Sequence, residues 1–240
     1  MPYYQRGDAK IYYEQRGSGY PLLIIAPGGM NSTIEFWGRT QFNPVEIFPA
    51  DFTVVAMDQR NAGHSSGPID TEDGWDLMTD DQLGLMSHLG FEKFLVIGCC
   101  IGCSYIYRLI QKAPDRIVAG VMEQPIGVVP ENKEQMAGAW KHWGAELREK
   151  NPDITQEQVE KFGKSIWEGE FVLSVSRDFA KTVKTPLLVM PGNDMAHPEA
   201  TGLEVAEISQ NTQLHTGWKD DIPNTVNVIR TFLKKHEPKS

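Results

Sequence analysis

Long apolar runs are absent from this sequence. No run reaches the roughly 18 apolar residues that a membrane-spanning helix requires, so we expect no membrane partner. The first residues, MPYYQ, lack the charged segment and apolar stretch of a secretory signal peptide. Cysteine is also scarce. Three cysteines are an odd number without a paired disulfide framework, which favours a location in the reducing cytoplasm.

Positive charge is in deficit, with 23 Lys and Arg residues against 32 Asp and Glu and a net charge of -9. Because phosphate backbones are bound by clustered Lys and Arg, we expect no nucleic-acid partner. Clusters with metal-ligand spacing are missing, and Gly28-Gly29 lacks the spacing of a nucleotide-binding loop. The sequence therefore predicts neither a metal nor an organic cofactor. A small-molecule substrate is the expected partner, and a homodimer is left open.

What the chain does have is an alternation of short apolar runs and longer amphipathic segments. Continuous apolar runs are typical of strands buried on both faces of a parallel sheet. Strands alternating with helices predict an α/β fold with a mostly parallel, doubly wound sheet. The predicted strands are 10–15, 21–26, 52–57, 94–97, 117–122 and 186–190, and the predicted helices are 71–89, 103–112, 199–208 and 222–236.

One segment, at about 126–184, interrupts this alternation. It is polar and favours helix, and Pro130 and Gly169 punctuate it. We interpret residues 1–240 as a single domain in which this segment is a small helical lid. Its tryptophans, Trp140, Trp143 and Trp167, are interpreted as the core of the insertion, with ligand contact as the alternative.

The sequence GCCIG at 98–102 follows an apolar strand and opens a helix. In this context the pattern Gly-x-nucleophile-x-Gly, where x is any residue, is the nucleophile-elbow motif. The turn is tight, so the residue at its tip adopts a strained backbone and projects from the carboxyl edge of the sheet. The tip residue, Cys100, would lie at a helix N-terminus, where the positive end of the dipole favours a thiolate. The motif therefore predicts Cys100 as a nucleophile.

The other two cysteines, Cys99 and Cys103, are predicted to be buried structural residues. A zinc site is excluded because adjacent cysteines do not chelate with ordinary geometry and no second pair follows. A disulfide between Cys100 and Cys103 would cross the first turn of a helix and is a minor alternative.

With these elements the chain resembles the α/β-hydrolase superfamily. The resemblance covers nearly the whole chain in element order, but it is specific at four places: PGG at 27–29, DQRNAGHS at 58–65, the elbow, and GND at 192–194. The cysteine at the elbow is similar to that of dienelactone hydrolases. The layout, with a helical lid, is more similar to lactonases and C–C hydrolases of the superfamily. The segment at 58–65 is interpreted as structural, with His64 at the surface.

The resemblance implies an oxyanion hole of two backbone N–H groups. One comes from the residue after the nucleophile, Ile101, and the other from the loop after the strand at 21–26. That loop usually reads His-Gly-x, whereas here Pro27 takes the place of the His and Gly29 that of the donor. Because the donor is a backbone amide, the change at Pro27 has little consequence. A plain glycine-rich turn is the alternative.

The resemblance also implies an acid after the strand at 186–190. The family pattern Gly-x-x-Asp-x-x-x-Pro is matched at residues 192–198, with one residue fewer between Gly192 and Asp194. Asp194 is the predicted acid, and helix capping is its alternative role. Glu123, at the end of the fourth strand of the apolar series, is the second candidate.

The base is ambiguous in the sequence. The family His follows the last strand, and an ungapped count back from the final helix places His215 there, whereas matching Gly217 places Trp218 there. His197 lies in the same loop as Asp194, residues 191–198, which we call the acid loop. It offers a replacement and is the predicted base. Because His197 is three residues from Asp194, it could require another orienting carboxylate such as Glu123. An absent base is the third alternative.

These residues predict a cysteine-dependent hydrolase of a small ester, lactone or thioester, acting through an acyl-enzyme. Cys100 attacks, Gly29 and Ile101 bind the oxyanion, and a His transfers the proton. Acyl transfer on the same site is one alternative. The other is a ligand-binding protein on the same fold, since a fold does not dictate a function. The reactivity of Cys100 toward iodoacetamide distinguishes the two classes.

Overall fold

The computed structural model describes residues 2–69 and 71–238 of the chain. Met1, Asp70, Lys239 and Ser240, which the predicted domain includes, lie outside the described residues. The central strands form where apolar runs bury both faces: every residue of VVAM at 54–57 and of FLVIGC at 94–99 is buried. The strands are β1 (Tyr3–Arg6), β2 (Ala9–Arg16), β3 (Pro21–Ile25), β4 (Thr53–Met57), β5 (Phe94–Cys99), β6 (Ile117–Glu123), β7 (Leu187–Met190) and β8 (Thr212–Leu214).

Over the described residues these strands form one eight-stranded sheet in the order β1-β2-β4-β3-β5-β6-β7-β8. The pairings β1–β2 and β2–β4 are antiparallel, and the others are parallel. The predicted α/β fold with a mostly parallel sheet is confirmed. After β3 the chain runs outward to β4 and then returns to β5 on the other side of β3. Such a reversal opens a crevice at the carboxyl ends of the strands, and the loop after β3 and the elbow after β5 both begin there.

The four predicted helices are present: those at 199–208 and 222–236 have the predicted bounds, and the other two have shifted starts. The helix predicted from residue 71 begins at Gly74, because the Asp73 side chain caps it by accepting from the Asp76 amide at 3.0 Å. The helix predicted from residue 103 begins directly after Cys100. The helices are α1 (Pro44–Ile47), α2 (Gly74–His88), α3 (Ile101–Lys112), α4 (Lys133–Gly138), α5 (Trp140–Lys150), α6 (Gln156–Trp167), α7 (Arg177–Ala180), α8 (Glu199–Ile208) and α9 (Ile222–His236). In the described ranges no helix is long and apolar enough to cross a membrane.

The segment between β6 and β7 is helical, as its composition indicates, and contains α4 to α7. Its three tryptophans are at most 5% exposed. Trp140 packs within the segment, where an added Cβ at Gly163 would lie 2.4 Å from its ring. Trp143 and Trp167 also line a cavity at the carboxyl edge of the sheet. The interpretation as insertion core therefore describes Trp140, whereas the other two also face the space for a ligand. That the segment acts as a lid stays a prediction.

Candidate active site

Cys100 occupies the tip of a strained turn between β5 and α3. Its backbone has φ 58° and ψ −117°, a region that a non-glycine residue rarely adopts. The two glycines of GCCIG permit this turn. A Cβ at Gly98 would lie 2.4 Å from the Gly102 carbonyl, and one at Gly102 would lie 2.6 Å from the Ile25 carbonyl oxygen on β3. The turn thus closes only with glycine on both sides, as the elbow motif requires.

Cys99 and Cys103 are at most 1% exposed, and burial raises the pKa of each thiol well above its ordinary value. Cys103 Sγ lies 3.2 Å from the Gly98 carbonyl oxygen and 3.3 Å from that of Glu123. All three cysteines are free thiols, without the alternative disulfide. Only Cys100 reaches the cavity, because it projects from the turn while its neighbours point into the packed interior.

A cavity of about 440 Å³ lies above the elbow. Its base carries Cys100, Glu123 and His197. The wall, formed mainly by the loop after β3 and by the helical insertion, combines polar side chains such as Arg39, Gln41 and Gln135 with an apolar and aromatic part. It includes Met30, Phe36, Ile126, Met136, Trp143 and Trp167. A concave site that joins apolar and aromatic surface to polar groups is the usual form of a small-molecule site.

His197 and Asp194 form a hydrogen-bonded pair within one loop. Nδ1 of His197 lies 2.9 Å from both carboxylate oxygens of Asp194, whose Oδ1 also accepts from the amides of Ala196 and His197 at 2.9 Å. The loop therefore folds back within three residues, and Asp194 orients the ring directly. His197 therefore does not require a second orienting carboxylate such as Glu123. Since Nδ1 is engaged, Nε2 is the nitrogen left for Cys100.

The electrostatics of this pair favour a protonated imidazole. Burial lowers the pKa of His197, but its interactions with Cys100 and Asp194 raise it, and the net result is a pKa of about 9. Burial likewise opposes ionisation of Asp194, yet its contacts with His197 hold the pKa of this carboxyl below its usual value. A histidine that is charged at neutral pH stabilises a neighbouring thiolate.

The loop bearing this pair is anchored on both sides. A Cβ at Gly192 would lie 2.4 Å from His197 Cβ, so only glycine admits the fold of the loop. From the insertion, the buried Asn132 donates from Nδ2 to the carbonyls of Met195 at 2.7 Å and Gly127 at 2.8 Å. From the other side, Trp218 Nε1 donates to the Pro191 carbonyl at 2.7 Å.

The predicted oxyanion donors lie at the starts of two helices. Ile101 is the first residue of α3, and Gly29 is the first residue of a 3₁₀ turn, Gly29–Asn31. First residues have no acceptor within their own helix, so both N–H groups are available to a ligand. Gly29 has φ 60°, and its Cβ would lie 3.1 Å from the Trp167 ring. The insertion therefore packs directly against this side of the cavity.

A family model described as alpha/beta hydrolase fold matches residues 21–194, almost three quarters of the chain. The protein belongs to the alpha/beta hydrolase fold family. The match extends from β3 through the elbow to Asp194 and stops before His197.

Individual relatives of this α/β hydrolase have diverse activities in their names. The chain is 33% identical over 117 residues to a putative carbamate hydrolase, RutD, of Azorhizobium caulinodans, which covers 49% of this chain and 42% of that protein. It is 31% identical over 144 residues to a fluoroacetate dehalogenase of a Burkholderia species, which covers 57% and 45%. The matches thus span less than half the length of these curated relatives.

Solved structures extend the likeness over the whole chain at the level of the fold. An alpha/beta hydrolase enzyme from a Medee basin deep-sea metagenome library superposes with a TM-score of 0.74 at 16% identity, covering 100% of this chain and 99% of that one. The enol-lactonase from Burkholderia xenovorans has a TM-score of 0.70 at 20% identity, covering 97% and 100%. At these identities the likeness shows the fold alone.

In this α/β hydrolase the loop after β8 contributes no histidine to the cavity. Nε2 of His215 lies 3.0 Å from Thr225 Oγ1, and that hydroxyl donates to the Trp218 carbonyl. Trp218 is 2% exposed and packs beneath the acid loop. Of the two candidate histidines, only His197 therefore lies among the cavity residues.

Sequence reasoning missed several residues of the site. Arg39 lines the cavity with its guanidinium 5.4 Å from the centre of the Phe36 ring. Gln124, at φ 41°, follows the buried Glu123 and also lines the cavity. Asn132 anchors the acid loop from the insertion. The elbow and acid patterns carry no signal for these residues, because their roles arise from contacts between distant parts of the chain.

Proposed function

We propose that this α/β hydrolase cleaves a small ester, lactone or thioester through an acyl-enzyme on Cys100. The observation that carries the proposal is the convergence of Cys100 and the Asp194–His197 pair on one cavity. A nucleophile, a base and an orienting carboxylate together are the requirement for acyl transfer to a side chain.

In the proposed reaction, Cys100 Sγ attacks the carbonyl carbon after its proton has passed to His197, and the carbonyl oxygen takes up the negative charge. The N–H groups of Gly29 and Ile101 stabilise that oxyanion. As the intermediate collapses, the bond from carbon to the leaving group breaks and His197 returns the proton to the departing atom. Water then attacks the thioester carbon and loses a proton to His197. The C–S bond breaks, the proton returns to sulfur, and the acid leaves.

The cavity supports a substrate with an apolar or aromatic acyl part. Trp143 and Trp167 are buried and present ring surface to the cavity, and Met30 and Met136 add adaptable apolar contact. The volume of about 440 Å³ is within the range of small-molecule sites. The apolar part of the wall accepts several acyl groups, since apolar surface discriminates weakly between similar apolar shapes.

The test is burst kinetics with p-nitrophenyl acetate and butyrate. We expect wild type to release an initial burst of nitrophenol and to gain the mass of one acyl group, and Cys100→Ala to do neither. His197→Ala should lose turnover by about 10²- to 10⁴-fold, the range for removal of a general acid–base. His215→Ala is the matched control and should retain turnover. Equal activity in wild type and Cys100→Ala would refute the proposal, and selective loss in His215→Ala would reassign the base.

A further inference from the structure

The base of the cavity holds a carboxyl group that the steps above leave unused. Glu123 is the last residue of β6 and pairs in register with Cys99, next to the elbow. It is 1% exposed and lines the cavity. By distance and angle neither Oε1 nor Oε2 has a hydrogen-bond partner among the described residues, and the neighbouring Cys99 thiol acts on the carboxyl as a weak donor. Because a buried carboxyl without partners costs stability, packing alone does not account for it.

His197 Nε2 is another buried atom beside the same space that lacks a hydrogen bond of normal geometry. In the resting structure His197 interacts with Cys100, and the charges of His197 and Glu123 also influence each other. Buried polar atoms of this kind are normally satisfied by protein or ordered water. A bound water requires two to four polar partners, and Glu123 and His197, which line the same cavity, are candidates for that role.

We propose that Glu123 and His197 together bind the water that releases the acyl group from Cys100. The inference rests on the proposed function. Once Cys100 carries the acyl group, its sulfur has no proton to share with His197, and Nε2 is free for water. The water donates one hydrogen to Nε2 and the other to a Glu123 oxygen, and this fixes its lone pair toward the thioester carbon.

The atoms of the release step balance. The water oxygen forms a bond to the acyl carbon while His197 Nε2 takes one proton. The second hydrogen, held by Glu123, stays on the oxygen as the hydroxyl of the acid product. When the C–S bond breaks, the proton on His197 returns to the sulfur of Cys100.

The environment of Glu123 suits an uncharged acceptor. Burial raises the pKa of Glu123 to about 8, against the opposing effects of Cys99, Lys219 and His197. Lys219 does not neutralise it by direct contact, because its amine binds Asn193 Oδ1 at 2.7 Å. A neutral carboxyl retains a carbonyl oxygen that accepts from water without competing for the proton that His197 must take.

The test separates acylation from deacylation in two variants of similar size. Glu123→Gln keeps a carbonyl oxygen, whereas Glu123→Met removes both acceptors. We expect the burst rate to fall several-fold less than the deacylation rate in Glu123→Met, because the proposed water acts only after the acyl group has been transferred. The steady-state deacylation rate should fall about tenfold or more in Glu123→Met, the effect of one hydrogen bond to the reacting group, and less than about threefold in Glu123→Gln.

A second readout distinguishes water positioning from general damage. With hydroxylamine added, the ratio of hydroxamate to free acid should rise in Glu123→Met, because only water loses its bound position. Glu207→Met, at an exposed position of α8 outside the cavity lining, is the control and should keep the wild-type ratio. Unchanged deacylation in Glu123→Met would overturn the inference, as would equal slowing of acylation and deacylation. Absence of a Cys100-dependent burst in wild type would instead show that the proposed function itself has failed.

Discussion

Asn132 anchors the acid loop, and its hydrogen bonds allow the loss of stability on its removal to be predicted. Its side chain makes three hydrogen bonds while 1% exposed: Nδ2 donates to Met195 and Gly127, and Oδ1 accepts from the Val129 amide at 2.9 Å. At about 1 kcal/mol for each bond, Asn132→Ala should lower the free energy of unfolding by about 3 kcal/mol. Asn132→Asp keeps Oδ1 but places a carboxylate oxygen against two carbonyls, so we expect a larger loss.

Asn132→Ala should also slow catalysis, because Asn132 holds the backbone of Met195, which lies between Asp194 and His197 in the chain. A displacement of the reacting groups by about 1 Å costs up to about 10²-fold in rate. We therefore expect the turnover of Asn132→Ala to fall by about 10- to 100-fold, with a smaller effect on KM.

The assay combines urea unfolding, followed by tryptophan fluorescence, with steady-state turnover of a p-nitrophenyl ester under native conditions. Asn151→Ala is the matched control: Asn151 lies in the same insertion, is exposed, and makes one side-chain bond, to Leu147 at 3.1 Å. It should lose less than about 1 kcal/mol and keep its turnover. If Asn132→Ala loses stability but keeps wild-type turnover, Asn132 does not position the loop and the reasoning is wrong.

Three other predictions concern His197, Glu123 and the elbow. By NMR, the His197 ring should titrate near pH 9 in wild type and at lower pH in Asp194→Asn, because the carboxylate contributes to the raised pKa; an unmoved midpoint would contradict the pairing. Glu123 is more readily ionised in the unfolded chain, with its ordinary pKa of 4.5, than in the fold, where its pKa is about 8. Its contribution to stability is thus complete below pH 4.5 and is lost as the pH rises to 8. Glu123→Gln should therefore be more stable than wild type at pH 8 and about equally stable at pH 4. The difference at pH 8 is at most about 5 kcal/mol, at 1.4 kcal/mol per pKa unit. Urea unfolding at the two pH values measures it. Gly102→Ala should destabilise by about 1–3 kcal/mol and abolish the burst, since its Cβ would lie 2.6 Å from the Ile25 carbonyl; a normal burst would show that the turn tolerates the methyl group.

The fold was largely predictable because its signals are local. Apolar runs of four to six residues mark the strands buried on both faces, and glycines at fixed spacing mark the elbow. The edge strands β1 and β8 were not predicted, because they are short and partly exposed and carry no such run. The starts of α2 and α3 shifted because a capping side chain and a strained turn decide where a helix begins.

The base illustrates what the sequence left open. Counting back from the final helix placed His215 at the family position, whereas the predicted base, His197, was chosen because it lies in the loop that carries Asp194. Their positions differ only through tertiary contacts: Thr225 binds His215 away from the cavity, whereas Asp194, Gly192 and Asn132 fold the acid loop so that His197 reaches it.

By itself, then, the sequence determined the α/β fold, the elbow that presents Cys100 and the loop that carries Asp194, because each follows from residues close together along the chain. The tertiary structure decided which histidine shares the cavity with Cys100, how Asn132 holds the acid loop, and that the Glu123 carboxyl lies buried without a partner. Each of these depends on distances between segments separated by tens of residues, and only the packing of the folded chain sets those distances.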